Sequence, residues 1–210
     1  MASASEPDRP AGTPTIQEAV GGPLGMAETA LPAVAFVVAY SASGSNTNLA
    51  AGVAVGLALV LSVIRLVKRE TPRHALSGLI GVAFAAFIAA RSGEAKNFFL
   101  PGLLANLAYA SAFFISIVVR WPLVGVIVGQ LDGEGTGWRA DKRRVRAFRR
   151  ASWLWVGLFS LRLVVQLPLY LADAVVALGV ARTAMGLPLF ALGLWLTYLM
   201  VHRSRRPQEE

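Results

Sequence analysis

The chain has 210 residues, of which 55% are apolar and only 15% are charged, and its formal net charge is +8. The absence of cysteine excludes disulfides, thiolate metal sites and a cysteine nucleophile. Apolar stretches separated by short polar connections fill the chain from residue 31 to residue 200. Several reach the roughly 20 residues that a membrane-spanning helix needs. This pattern predicts an all-α, polytopic membrane protein folded as a helical bundle.

The first 26 residues are polar and rich in proline and glycine, which predicts a flexible cytoplasmic tail. Within this tail, Thr15 and Glu18 have the spacing of a helix capping box, so a short interfacial helix is expected there. The first two predicted spans follow at residues 28–43 and 48–67. The first is short for a bilayer, whereas the second ends in a basic cluster.

Two further spans are predicted at residues 74–90 and 97–119. Residues 121–131 are apolar but too short to cross a bilayer, and Pro122 fits a re-entrant or interfacial segment there. A glycine-rich linker and a strongly basic stretch then lead into the fifth predicted span, residues 151–172.

The sixth predicted span covers residues 174–201 and is longer than a crossing requires. We expect Arg182 to divide a short outer turn from the part that crosses, residues 184–201. Residues 202–210 are predicted to form a cytoplasmic tail. Residues 27–201 are therefore expected to form one membrane-embedded bundle of six transmembrane helices.

Arginine and lysine predict the orientation, because they concentrate on the cytoplasmic side of membrane proteins. With six crossings and the N-terminus inside, sixteen of them fall inside and three outside, namely Arg91, Lys96 and Arg182. We therefore expect a multi-pass protein of the bacterial inner membrane with both termini cytoplasmic. Basic residues beside apolar segments favour the lipid bilayer and its anionic headgroups as partners, and not nucleic acid.

Polar residues in the fifth and fourth predicted spans form the strongest candidate site. They are Arg162, Gln166, Tyr170 and Asp173, with Asn106 and Tyr109 as partners from the fourth span. The first four recur at nearly helical spacing and can share one stripe of the helix. A buried arginine in a membrane by default faces the protein interior or a water-filled cavity. The functional interpretation is an anion- or water-accessible site; the structural one is an arginine that fixes helix register.

A second group of candidates is basic and lies on the predicted cytoplasmic side. It comprises Arg120, Arg143, Arg144, Arg146, Arg149 and Arg150. One interpretation is binding of an acidic lipid or protein, and the other is a positive-inside anchor with an aromatic belt. Gly52-x-x-x-Gly56 and Gly125-x-x-x-Gly129 allow close helix approach, either within the chain or at the seam of a homo-oligomer or membrane partner.

The sequence carries no motif for a cofactor, a metal or hydrolysis. His74 and His202 have no histidine or carboxylate at metal-ligand spacing. Neither Gly-x-Ser-x-Gly nor His-Glu-x-x-His is present. We therefore expect no enzymatic activity, no cofactor and no metal.

Several short strings occur together in the order found in a known family. They are Ala30-Leu31-Pro32, Arg73 to Gly81, Asn97-Phe98-Phe99-Leu100-Pro101-Gly102, Arg120-Trp121-Pro122-Leu123-Val124-Gly125, Trp138-Arg139, and Trp155 with Leu161-Arg162 to Leu171. From about residue 20 to residue 201 the chain resembles the actinobacterial integral membrane proteins grouped as domain-of-unknown-function family 3159. That family has no assigned function, and its layout is similar to that of septation-protein-A-like membrane proteins. Arg162, Gln166 and Arg120 fall inside the shared strings.

Two functional hypotheses follow. The first is a small channel, transporter or transport accessory subunit that uses the interior stripe. The second is a structural membrane scaffold in cell-envelope or division assembly, which recruits partners through its basic loop. Transport is expected to require Arg162, whereas a scaffold is expected to require the basic residues from Arg143 to Arg150.

Overall fold

A computed structural model describes residues 22–68 and 72–205 of the chain, and side chains are described for residues 30–68 and 76–202. The described residues form helices and no strands. One-turn 3₁₀ helices at Ala95–Phe98 and Gly137–Ala140 precede the fourth and sixth α-helices. In chain order the α-helices are α1 Gly22–Ala42, α2 Thr47–Val67, α3 Pro72–Ser92, α4 Leu100–Val118, α5 Leu123–Leu131, α6 Lys142–Leu171, α7 Val175–Ala184 and α8 Leu187–Arg205.

The predicted all-helical class is confirmed, and the helices lie at the predicted apolar segments. The apolar parts described for α1 and α3 are short, Ala30–Ala42 and Leu76–Ser92. Four described stretches are long and apolar enough to cross a membrane, Thr47–Val67, Leu100–Val118, Lys142–Leu171 and the run Val175–His202. These four stretches indicate a membrane protein.

The predicted tails lie mostly outside the described residues. This holds for the capping box that begins at Thr15 and for the end of the chain after residue 205. The described part begins with α1 at Gly22, before the predicted start at residue 28. Pro23 lies in the first turn of α1, where the missing N–H of proline removes no hydrogen bond.

Helix α6 is longer than the predicted fifth span, because the basic stretch before that span is part of the same helix. It begins at Lys142, whereas the predicted start is residue 151. Asp141 caps this end, since its carboxylate accepts a hydrogen bond of 2.7 Å from the N–H of Arg143. The basic residues therefore extend from the bundle on a helix and do not form a loop.

Small side chains bring α2 and α3 together. Ala50, Ala54 and Ala58 recur every fourth residue along α2, and all three are buried. Ala85 and Ala89 of α3 are buried in the same cluster as the first two. Rows of small residues let helix backbones approach closely, and such packing stabilises helix pairs in membranes, where lipid removes the hydrophobic driving force.

Two clusters of buried apolar side chains form the core. The first joins α1, α2, α3 and α7 around Phe36, whose ring stacks on Phe98 with centroids 4.1 Å apart. The second joins α4, α5, α6 and α8 around Trp155, whose indole N–H donates to Thr197 at 3.1 Å. A cavity lined by residues of both clusters lies between them.

The short helix α5 packs back onto the chain through two glycines. Gly125 and Gly129 leave space for the indole of Trp138, which is only 1% exposed. A Cβ placed on Gly125 would lie 3.0 Å from that indole and 3.0 Å from the ring of Phe148. Of the two predicted roles for this glycine pair, the structure therefore shows packing within the chain.

Large apolar side chains cover the outside of the helices. Val67, Leu131 and Leu171 are exposed by 77%, 75% and 70%. Soluble monomers rarely expose contiguous apolar surface on this scale. Lipid tails solvate such side chains without cost, so the exterior suits a bilayer environment.

Candidate functional site

A cavity of about 560 Å³ lies between the helices of the bundle and is partly open to the outside. Residues of α1, α3, α4, α6, α7 and α8 line it, together with the first 3₁₀ turn. Its polar lining residues are Ser77, Asn106, Arg162, Gln166, Arg182 and Thr183. Of the six residues predicted for an interior site, the structure brings Arg162, Gln166 and Asn106 to this cavity.

Arg162 reaches the cavity from α6 and is partly buried. Its Nη2 donates a hydrogen bond of 2.6 Å to the carbonyl oxygen of Gly186. Its buried Nε has no acceptor among the described residues. The guanidinium carbon also lies 5.9 Å from the ring centroid of Phe159. The arginine thus joins two segments of the chain and still leaves a donor unfilled.

The carbonyl that Arg162 bonds belongs to a break between two helices. α7 ends at Ala184 and α8 begins at Leu187, so the predicted sixth span is not one continuous helix. Pro188 explains the break, because in a continuous helix its ring would clash with the Ala184 carbonyl and it has no N–H to donate to it. In the first turn of α8 that missing N–H is harmless. The carbonyl oxygen of Gly186 accepts from the N–H of Phe190 at 3.2 Å and, with its second lone pair, from the arginine.

Arg182 is the second arginine at the cavity. A ten-residue helix, α7, takes the place of the short turn expected before residue 184, and the chain divides after it, between Ala184 and Leu187. It lies in the last turn of α7, and its guanidinium rests against Gly102 of α4 and 5.7 Å from the ring centroid of Phe99. Arg182 makes no ion pair or hydrogen bond with a described residue. An arginine within the 28-residue apolar run Val175–His202 was the signal for an interior position.

Two amide side chains complete the polar wall of the cavity. Gln166 lies one turn beyond Arg162 and is only 3% exposed, and Asn106 reaches the cavity from α4. Neither side chain makes a hydrogen bond with a described residue. The hydroxyl of Thr183 is already engaged, since it donates to the carbonyl of Gly179 at 2.9 Å.

Tyr170 and Asp173 belong to a separate polar cluster, where the end of α6 meets the connection before α4. The Tyr170 hydroxyl donates to the side-chain oxygen of Asn97 at 2.5 Å, and the Asn97 amide donates to Glu94 at 3.2 Å. Lys96 forms ion pairs with Asp173 at 2.7 Å and with Glu94 at 3.6 Å. The predicted stripe is therefore divided, and its last two residues tie helix ends together.

Lys96 lies at the centre of this cluster, outside the candidate spans. Asp173 raises the pKa of Lys96 above its ordinary value of 10.5, chiefly by accepting its hydrogen bond. Burial of the ammonium opposes this rise, while the negative charges of Asp173 and Glu94 add to it. Lys96 is thus fully charged at neutral pH and occupies both carboxylates.

Tyr109, the remaining predicted member, lies away from the cavity. Its side chain is 55% exposed, and its ring centroid lies 5.3 Å from that of Phe159. Asn106 lies one turn earlier on α4 and faces the cavity. The two residues predicted as a pair therefore point in different directions, and only Asn106 joins the cavity wall.

Five of the six basic candidates lie near the start of α6. Arg144 is held there by Glu134, with Nη1 and Oε2 2.5 Å apart, and by Asp132 at 4.0 Å. The guanidinium of Arg139 stacks over Trp121 at 4.0 Å from the ring centroid. The exposed candidates on α6 are Arg143, Arg146, Arg149 and Arg150. Among the described residues, carboxylates hold one member of this group, Arg144.

Arg120 follows α4 in an unusual backbone conformation, with φ +58°. The N–H of Arg120 donates to the Ile117 carbonyl at 3.1 Å, and the N–H of Trp121 donates to the Ser116 carbonyl at 2.8 Å. These two bonds form a Schellman motif, in which glycine is the usual residue at the position of the arginine. The exposed Arg120 therefore occupies its place at a conformational cost.

The described residues contain no group of three or more His, Asp or Glu side chains that could hold a metal ion. The fold indicates a helical membrane protein, and two arginines line its cavity. The chain belongs to the family described as protein of unknown function (DUF3159), whose sequence profile matches residues 20–208. This match confirms the family indicated by the shared strings. Searches of curated proteins and of solved structures found no match.

Proposed function

We propose that the protein is a small channel or transporter of the bacterial cell membrane, or an accessory subunit of a transport system, and that it is not an enzyme. The observation that carries the proposal is the polar cavity of about 560 Å³ within a bundle whose exterior is apolar. Polar and charged groups inside a membrane protein cost free energy, so such groups around an open space indicate a path or binding site.

The proposed topology has six crossings, with α1 to α4 as the first four, α6 as the fifth, and α7 with α8 as a broken sixth. α1, α2 and α3 each have 21 residues, a length of about 31 Å, which matches a bilayer core of about 30 Å. The basic start of α6 favours the cytoplasmic side, so both termini are cytoplasmic in this arrangement. α5, with 9 residues, does not cross.

The broken last crossing supports a transport role. In secondary transporters, helices interrupted inside the membrane offer backbone groups to substrates and ions. Here Arg162 bonds the carbonyl at the break, and it lies roughly 14 Å before the end of α6 by the helical rise. That depth is close to the middle of a bilayer core of about 30 Å.

Flux measurements in liposomes test this proposal. Purified full-length protein is reconstituted, and potassium, proton and chloride flux are measured for the wild type, Arg162→Ala and Arg91→Ala. Arg91 is a matched control because it is exposed at the end of α3. We expect flux that Arg162→Ala abolishes and Arg91→Ala preserves. Absence of flux of these ions from a well-folded preparation would exclude a channel or transporter for them, and equal flux in both variants would contradict a path through Arg162.

A second candidate function, a scaffold in cell-envelope or division assembly, rests on the exposed arginines of α6. These are Arg143, Arg146, Arg149 and Arg150, and none forms an ion pair with a described residue. Such a basic surface attracts anionic lipid headgroups or an acidic partner. Replacing all four with glutamine is expected to reduce the anionic phospholipid that copurifies with the protein. For a scaffold, this variant reproduces the deletion phenotype in cells, whereas Arg162→Ala does not.

A further inference from the structure

The two arginines of the cavity have no counter-ion among the described residues. Arg162 and Arg182 line the same space and repel each other. No aspartate or glutamate is among the described residues that line the cavity. Glu94 and Asp173, which follow α3 and α6, are engaged by Lys96. Two positive charges that share a cavity with no negative side chain among its described lining residues are costly, and a bound anion offsets that cost.

The unfilled hydrogen-bonding groups of the cavity are mainly donors. Arg162 has a buried Nε without an acceptor, and Arg182 makes no hydrogen bond with a described residue. Gln166 is 3% exposed, lines the cavity and leaves its side-chain amide unbonded within the described part of the chain. Because buried polar groups are normally paired, these groups favour a ligand that supplies acceptors.

The type of cation identifies the class of anion. A guanidinium presents paired N–H donors that match the two oxygens of a carboxylate or phosphate, whereas a halide offers a single acceptor atom. The volume of about 560 Å³ falls within the range of small-molecule sites. We propose that the cavity binds a small oxyanion, of the carboxylate or phosphate class, between the guanidiniums of Arg162 and Arg182. This inference rests on the proposed function, since it names the class of permeant for the same cavity.

Gly102 positions one of the two guanidiniums. A Cβ placed on this residue of α4 would overlap the guanidinium of Arg182. The end of an arginine side chain is flexible, so the guanidinium can move away while the helix stays folded. Gly102→Ala is therefore expected to displace the charge of Arg182 without removing it.

Ligand-dependent melting of the full-length protein in lipid-free detergent tests the proposal, because lipid phosphate is then absent. Sodium phosphate, sodium acetate and sodium chloride are compared at equal ionic strength. We expect phosphate or acetate to raise the melting temperature above that in chloride. Arg182→Gln should weaken the apparent affinity at least about tenfold, as expected for the loss of a charged hydrogen-bonded pair. Gly102→Ala should weaken it less, and Arg91→Gln should leave it unchanged.

Equal oxyanion affinity in Arg182→Gln and Arg91→Gln would overturn the proposal, as would the absence of a shift with either oxyanion. If Arg182→Gln does not fold, Gly102→Ala decides, and wild-type affinity in that variant counts against the site. The flux assay, run also with phosphate and acetate, separates the two proposals. If Arg162→Ala abolishes cation flux but neither oxyanion stabilises the protein, the transport proposal is supported and the oxyanion proposal is refuted. If Arg182 is needed for oxyanion binding but neither phosphate nor acetate crosses the membrane, the binding site is supported and transport of these anions is refuted.

Discussion

Gly129→Ala is expected to destabilise the protein, although alanine is the better helix former. A Cβ at this position would lie 2.7 Å from Cδ1 and 2.9 Å from Nε1 of Trp138, and it would overlap the carbonyl oxygen of Gly135. The indole is buried on all sides, so it has little room to move. Overpacking of this kind costs about 1–3 kcal/mol, whereas the gain in helix propensity is at most about 1 kcal/mol. Since one of the overlapped atoms is a backbone oxygen, the cost lies at the upper end of that range, and the free energy of unfolding should fall by about 2 kcal/mol.

Gly52→Ala is the matched control, because it makes the same change in the other glycine pair. Nothing lies within 4 Å of a Cβ at Gly52, so the variant should equal the wild type or exceed it by up to about 1 kcal/mol. Both variants are unfolded by adding SDS to the detergent-solubilised protein, with tryptophan fluorescence and helical circular dichroism as probes. A Gly129→Ala protein as stable as Gly52→Ala would refute the packing of Trp138 on α5.

Three further predictions concern the loops and caps. Asp173→Asn tolerates the φ of +55° but removes the charge that raises the pKa of Lys96. The interaction of Lys96 with Asp173 contributes fully to stability below pH 10.5, and this contribution is lost as pH rises through the raised pKa of Lys96. In melting curves, the stability deficit of the variant should therefore shrink above pH 10.5. Ser152→Ala removes the acceptor of the buried Val124 N–H, and the free energy of unfolding should fall by about 1–3 kcal/mol in SDS titration. Arg120→Gly removes the strain of a positive φ and should raise the free energy of unfolding by about 1 kcal/mol. A lower stability than the wild type would show that contacts of the arginine offset this strain.

The sequence by itself determined the helical class, the apolar segments and part of the site. Transfer of a segment into lipid depends on its own length and composition, which can be counted along the chain. The same reasoning indicates that a mid-span arginine faces inward, and Arg162, Gln166 and Asn106 do line one cavity. The start of α6 within the basic stretch also depends on local sequence, because Asp141 caps the helix there.

Only the tertiary structure decided which polar groups meet. Tyr170 and Asp173 continue the periodic stripe of Arg162, yet they bind Asn97 and Lys96 because the connection before α4 folds over the end of α6. Arg182 adjoins Gly102, about eighty positions earlier in the chain, and no spacing along the sequence encodes that contact. Helix periodicity fixes the direction of a side chain relative to its own helix. The partner that it meets depends on how distant helices pack, which is a property of the folded chain alone.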